Sequence, residues 1–396
     1  MTDKTMPALR FRGFYDAWEQ RKLGELTNSF EYGLNASAKK FDGIHKYIRI
    51  TDIDDSSRKF NSDSITSPDI DFSSADNYEL KLNDLLFART GASVGKSYIY
   101  TESDGLVYYA GFLIRVRIKP KFDSNFVFQN TFTSTYENFI RITSQRSGQP
   151  GVNAKEYAGF EINIPSLEEQ QMIGSLFKQL DNLTAQNEQK VDLLKQLKQA
   201  YLQQIFSQEL RFAGFSDDWE QRKLGEYVNF LNGRAYKQTE LLDKGRYRVL
   251  RVGNFNTNDR WYYSDLELEQ HKYANKGDLL YLWATNFGPE IWNEEKVIYH
   301  YHIWKLELLN NNLNKQYLYT WLMTDKERIK QNTNGTTMVH VTKRNMEQRD
   351  FQFPSIEEQI KVGSFFKQLD NLITLNQQKL NLLKKQKQAF LKKMFI

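Results

Sequence analysis

Pro165-Ser166-Leu167-Glu168-Glu169-Gln170 leads into a stretch that runs on through Phe177-Lys178-Gln179-Leu180-Asp181-Asn182-Leu183, and the chain writes it again 189 residues later. The second copy is Pro354-Ser355-Ile356-Glu357-Glu358-Gln359 through Phe366-Lys367-Gln368-Leu369-Asp370-Asn371-Leu372. Ser followed three residues on by Glu is a capping box: the hydroxyl accepts from a free amide of the first turn and Glu169 reaches back. Apolar residues then recur at spacings of three and four. They are Ile173, Leu176, Leu180, Leu183 and Leu194 in the first copy, and Val362, Phe365, Leu369, Leu372 and Leu383 in the second. A heptad this long without an internal Pro predicts a helix that packs on another helix. About 40 residues span roughly 60 Å. Asn187 and Asn376 interrupt the two stripes. An Asn in a seam fixes register at some cost in stability, and in an antiparallel pair with matched ends these two midpoints meet. The other reading is a bend that passes the seam to Val191 and Leu380.

Working outward, the repeated block covers Ile164–Phe206 and Phe353–Phe395, with 25 of 43 positions identical. A second block, Leu9-Arg10-Phe11 through Trp18-Glu19-Gln20-Arg21-Lys22-Leu23-Gly24-Glu25, returns as Leu210-Arg211-Phe212 through Trp219-Glu220-Gln221-Arg222-Lys223-Leu224-Gly225-Glu226, with 14 of 17 positions identical. Between the blocks lie two segments that share little beyond Asp84-Leu85-Leu86-Phe87 and Asp278-Leu279-Leu280-Tyr281. Uniform drift would erode frame and inserts alike, so the frame answers to one fixed partner and the inserts to two targets. The expected architecture is α+β with a pseudo-twofold internal repeat. Residues 1–164 form one α+β domain, 165–208 a helical spacer, 209–353 a second α+β domain and 354–396 a second spacer, the two long helices packing as an antiparallel, coiled-coil-like pair.

Composition narrows the function. There is no Cys, which excludes disulfides, thiolate metal sites and Cys nucleophiles and suits the cytoplasm. No stretch approaches the ~18 apolar residues of a membrane span, so no membrane partner is expected. A net charge of +5 permits a polyanionic partner.

Within the inserts, residues 106–118 alternate and predict a half-buried strand whose polar face, with Arg115, Arg117 and Lys119, can meet phosphates or solvent. Residues 297–308 form the matching strand. There His300 and His302 share a face, but no third metal ligand is near. The small polar loop Thr143-Ser144-Gln145-Arg146-Ser147-Gly148-Gln149 and its counterpart Gln331-Asn332-Thr333-Asn334-Gly335-Thr336-Thr337 carry the side chains that read base edges: Arg for guanine, Asn or Gln for adenine. Either is also an ordinary turn. The candidate DNA contacts are therefore Arg89, Lys96, Arg115 and Arg117, and Ser144, Gln145, Arg146 and Gln149, in the first insert. In the second they are Asn286, Asn332, Asn334, Thr336, His340 and Lys343.

Gly91-Ala92-Ser93-Val94-Gly95-Lys96-Ser97 has three residues between its glycines, where a phosphate-binding loop needs four. Asp69, Glu79 and Lys81 outline a metal nuclease motif too loose to carry weight, and no S-adenosylmethionine loop or methyltransferase tetrad is found. Three classes stay open: a subunit that reads DNA for partner enzymes, a stand-alone tandem DNA-binding protein such as a regulator, and a nuclease.

The doubled order resembles the specificity subunits of type I restriction-modification enzymes. Trp18 with Lys22-Leu23-Gly24-Glu25 resembles that family's domain start, Asp84-Leu85-Leu86-Phe87 with Gly91 and Gly95 its strand-and-glycine element, and Pro165–Gln170 its helix entry. Pro289 after Gly288, where the first half has Lys96, departs from the repeat. The resemblance implies two target-recognition domains, each reading half of an interrupted, asymmetric site in double-stranded DNA. It implies helices that space those domains and dock two DNA adenine methyltransferase subunits, with separate restriction motor–nuclease subunits. It implies no catalysis and no cofactor in this chain, S-adenosylmethionine, ATP and Mg²⁺ belonging to the partners.

Overall fold

The computed structural model describes residues 6–61, 64–146, 148–255, 258–284, 287–332 and 341–396, with only the backbone of Ser74 and Asn332. Contacts divide the chain into two compact units. One comprises the residues up to Gln189 together with Gln377–Ile396; the other is Lys190–Asn376. The two long helices, Leu167–Phe206 and Ile356–Met394, each give half of their length to either unit.

In the first unit the main sheet is four-stranded and antiparallel, in the order Thr27–Tyr32, Leu113–Ile118, Asp84–Ala88, Ser97–Ile99. The second unit repeats it with Val228–Asn232, Ile303–Leu308, Leu279–Leu282 and Gly288–Ile291. The period of two sends Leu85, Phe87, Ile114 and Val116 toward the helices and Leu86, Ala88 and Leu113 into a second core on the opposite face. Both faces of the sheet are thus covered.

The expected strands 106–118 and 297–308 are each broken. Val107–Tyr109 belongs to a separate two-stranded sheet and Val297–Tyr299 to a separate four-stranded one, and the chain turns before re-entering the main sheet at Leu113 and Ile303. The turns are closed by Leu113 N donating to Ala110 O (2.8 Å) and Ile303 N to His300 O (3.0 Å). Alternation alone does not show such a corner.

The two repeated blocks form one frame. Glu19–Lys22 pairs antiparallel with Glu161–Ile164, the strand that runs into the first long helix; Glu220–Lys223 pairs in the same way with Asp350–Phe353 before the second. Ser166 Oγ and Ser355 Oγ accept from the amides of Glu169 and Glu358 (3.3 Å each), as a cap requires. The glutamates do not close the box. Glu169 takes both guanidinium bonds of Arg10, and Glu358 those of Arg211.

Inside the first unit the helices run antiparallel, with Asp181 bonded to Lys387 (2.6 Å) and Glu188 to Lys384 (2.7 Å). Inside the second, Lys198 pairs with Asp370 (2.5 Å), the equivalent of the first of these. Along the first helix Ile173, Phe177, Leu180, Asn187 and Val191 are buried and Thr184 and Leu194 half-buried. The second helix buries Val362, Phe366, Leu369 and Leu380, with Ile373, Asn376 and Leu383 half-buried. Leu176 and Phe365 are half-buried beside the seam, and Leu183 and Leu372 stand outside it, 43% and 46% exposed. Spacings of 3,4,3,4 and 4,3,4,3 both satisfy a heptad, and neighbouring elements select the second. Within each helix the stripe runs on, to Val191 in the first and to Leu380 in the second, with its Asn kept in it. Each Asn amide donates to a carbonyl of its own helix, Asn187 to Leu183 O and Asn376 to Leu372 O (2.7 Å each).

Candidate nucleic-acid interface

Strand Asp84–Ala88 ends at Arg89, and the glycine turn after it is rigid. Tyr157 donates to Ala88 O (2.7 Å) and accepts from Gly95 N (3.2 Å), while Tyr136 donates to Gly95 O (2.9 Å). Both rings are buried. The polar loop after helix Ser134–Thr143 is fastened to the same strand end: Gly91 N donates to Pro150 O (3.0 Å) and Val152 N to Arg89 O (2.9 Å). Arg89 lies over the ring of Tyr32, 5.0 Å from its centroid, and Tyr32 Oη accepts from Ala154 N (3.2 Å). Arg89, Gln145, Arg146 and Gln149 are thereby brought to one edge. Gln145 and Gln149 are exposed. Arg146 is held by Thr143 O (2.8 Å), Gln145 O (2.9 Å) and the Glu156 carboxylate. Ser144 is buried at the end of its helix and has no outward edge.

The basic strand face is turned inward. Arg115 is 3% exposed, paired with Glu31 and bonded to Glu79 O (3.1 Å). Burial, and then Arg117, lower its pKa to about 10. Arg117 grips buried Asp84 with two bonds of 2.8 Å, and Lys119 donates to Glu25 O (2.8 Å). The reason is the second core layer, which covers the face that alternation assigns to solvent. Arg115 therefore leaves the set of candidate contacts, and Arg117 and Lys119 are committed to internal partners. Lys96 pairs with Asp55 and reaches Ile53 O (3.5 Å). Lys343 donates to Phe230 O (2.9 Å) and lies 3.6 Å from Glu347. Asn286, Asn334, Thr336 and His340, and the side chain of Asn332, lie outside the described residues.

The look-alike catalytic motifs take other roles. Amides of the glycine turn are spent within the fold: Val94 N on Gly91 O (3.1 Å), Gly95 N on Ala88 O (3.0 Å) and Lys96 N on Ser93 O (3.0 Å). Asp69 faces Lys39 (3.5 Å), and Lys81 N donates to Asp84 (2.9 Å). Among the described residues no three His, Asp or Glu side chains gather as metal ligands. His300 and His302 sit in an aromatic group with Trp283 and Tyr301, their rings tilted or edge-on to one another. Burial, then His302 and Arg251, push His300 down to about 4, so it is neutral at pH 7.

Tyr32, Phe112, Trp283 and Tyr301, which border these strand ends, are not among the sequence candidates. The available signal was Gly33 and Gly233: glycines following equivalent strands mark a close backbone approach.

A duplicated α+β domain mounted on a duplicated helix, with an exposed polar loop at a strand edge, defines a two-target recognition scaffold. The family model described as the type I restriction modification DNA specificity domain matches twice, over residues 15–198 and 216–385. The chain belongs to that family. It is 22% identical over 336 residues to the type I restriction enzyme MjaVIII specificity subunit of Methanocaldococcus jannaschii, covering 78% of this chain and 77% of that one. It is 25% identical over 185 residues to the EcoBI specificity subunit of Escherichia coli, covering 44% and 38%. The fold is similar to that of the S subunit of the type I restriction-modification system of M. genitalium, with a TM-score of 0.70 at 16% identity and 99% of each chain covered. Among the described residues no helix is long and apolar enough to cross a membrane.

Proposed function

We propose that this chain is the non-catalytic, sequence-reading subunit of a type I restriction-modification complex in the cytoplasm, each α+β domain taking one half of an interrupted, asymmetric site in double-stranded DNA. The observation that carries this reading is one frame built twice around two different inserts. The outer surfaces of the long helices support a doubled protein partner. Leu183 and Leu372 occupy equivalent positions and are both exposed, as do Leu193 (55%) and Leu382 (66%). Apolar side chains kept on the surface at the same place in both copies suit two copies of one partner. These are two DNA adenine methyltransferase subunits, which bring S-adenosylmethionine and turn the target adenine out of the duplex. Restriction motor–nuclease subunits bring ATP and Mg²⁺ chemistry.

The pure chain given S-adenosylmethionine, ATP and Mg²⁺ is expected to leave DNA unmodified and uncut. Added to its methyltransferase subunit, it is expected to yield methyladenine at one two-part motif, read by sequencing. Cleavage by the pure chain that Asp69→Ala abolishes would overturn the non-catalytic assignment. Failure to associate with the methyltransferase, with sequence-specific DNA binding intact, would favour a stand-alone regulator.

A further inference from the structure

At one corner of each domain the two halves have the same backbone and different side chains. A Cβ on Gly33 would lie 2.3 Å from Ala110 O, and one on Gly233 2.3 Å from His300 O, so only glycine admits the crossing. Leu34 N donates to Tyr109 O (2.8 Å) where Arg234 N donates to Tyr299 O (3.0 Å). Gly111 N donates to Leu34 O (2.7 Å) where Tyr301 N donates to Arg234 O (3.0 Å). Arg89 N donates to Phe112 O (3.0 Å) where Trp283 N donates to His302 O (3.2 Å). These bonds make Leu34 and Arg234, Ala110 and His300, Gly111 and Tyr301, Phe112 and His302, and Arg89 and Trp283 equivalent positions. None of the five pairs keeps its residue type. Among the buried neighbours Leu85, Leu86 and Tyr109 recur as Leu279, Leu280 and Tyr299, while Ala88, Leu113 and Ile114 become Leu282, Ile303 and Trp304.

The corner is also available to a ligand. Phe112 is 55% and Tyr301 39% exposed. Arg89 has no carboxylate partner among the described residues, unlike Arg115, Arg117 and Arg146, and its place over Tyr32 holds the guanidinium in a set orientation. Arg234 stands at the second corner, paired with Glu240 (2.8 Å), and the charge of Arg251 is near enough to act on His300. Cations and exposed rings together complement a polyanion with flat bases.

We propose that these corners are the base-reading edges of the two domains, Arg89 with Phe112 in the first and Trp283 with Tyr301 and His302 in the second. The inference rests on the reading of the chain as a DNA specificity subunit, and duplex DNA is the occupant. The fork of Arg89 matches the two acceptors of guanine in the major groove, and Phe112 offers an apolar face to a thymine methyl. The second corner presents rings and a histidine in their place, so it reads a different half-site on the same scaffold.

The test uses the full chain assembled with its methyltransferase subunits on a pool of duplexes with randomised half-sites, scored by sequencing the methylated products. Arg89→Gln and Phe112→Ala are expected to lose about tenfold or more of base discrimination in one half-site and to keep the other. Tyr301→Ala and His302→Ala are expected to do the reverse. Phe112 is mostly exposed, so its truncation leaves the fold intact, whereas Tyr301 also packs on Trp283 and His302; an unchanged unfolding midpoint is required of both variants. If all four variants keep the wild-type preference in both half-sites, the corners are not the readers, although the subunit assignment stands. A uniform loss at every sequence with a shallower salt dependence makes them phosphate contacts and also overturns the proposal. A wild-type complex that methylates without sequence preference removes the subunit assignment and the corners with it.

Discussion

The Arg10–Glu169 and Arg211–Glu358 pairs tie the short repeated block to the start of each long helix, and both glutamates are buried. Glu358 also accepts from Trp219 Nε1 (2.9 Å), whereas Trp18 Nε1 has no partner among the described residues. Removing Glu358 leaves the half-buried Arg211 and the buried Trp219 Nε1 without their acceptor, which costs about 1–3 kcal/mol. Glu358→Ala is therefore expected to lower the unfolding free energy by about that much in a urea titration. Replacing Arg211 and Glu358 together by Leu should recover most of the loss. A loss under about 1 kcal/mol, the scale of an exposed pair, would contradict the buried geometry. At this scale the sequence showed the caps and hid the pairs. Ser166 and Ser355 act on amides three residues away, while Glu169 answers to Arg10, which no local pattern connects to it. Arg115 failed for a related reason: its alternation was visible, but the core layer that covers it comes from segments distant in sequence.

Each long helix was legible as an element because its period, its Ser cap and its lack of Pro agree over about 40 residues. The phase of its seam was not. Leu176 with Leu183 and Phe177 with Thr184 are equally good heptads, and the choice lies in what packs alongside. The corners at Ala110 and His300 were hidden by apolar runs that continue through the turns. Asn187 is 6% exposed and spends its amide on its own helix. Burying an amide with incomplete partners costs on the order of 1–3 kcal/mol. Asn187→Leu is therefore expected to raise the melting temperature of the full chain by a few degrees, at ~2–4 °C per kcal/mol for a domain of this size. A lower melting temperature would show that Asn187 contributes a contact the seam needs.

At the scale of the molecule the duplication was the strongest signal in the chain, and it carried the family assignment. The side chains proposed to read DNA were legible only in part, Arg89 among the candidates and Phe112 and Tyr301 not, since residue types that read bases also make turns, caps and ion pairs. Both helices continue unbroken from residues of one compact unit into residues of the other. Seven residues added to each helix, after Asn187 and after Asn376, keep the 3.5-residue seam in phase and lengthen both by ~10 Å. DNA rises 3.4 Å per base pair, so the assembled complex is expected to methylate the same two half-sites with about three more base pairs between them. An unchanged gap would show that the helices do not set the spacing.

The far end of the second helix has a consequence for how the protein is made. Phe395 packs against Trp18 (6.5 Å between ring centroids), Phe126 (5.4 Å) and Phe177 (5.6 Å), so the first unit lacks part of its core until residues 394–396 arrive. The second unit is contiguous, and Phe206 reaches Trp219 (6.1 Å) within it. A ribosome adds about 5–20 residues per second, which leaves Trp18 waiting roughly 20–75 s for its last neighbour. The half of the molecule synthesised later is thus the first to be complete. The half synthesised earlier spends the interval with an open apolar socket beside Trp18, Phe126 and Phe177.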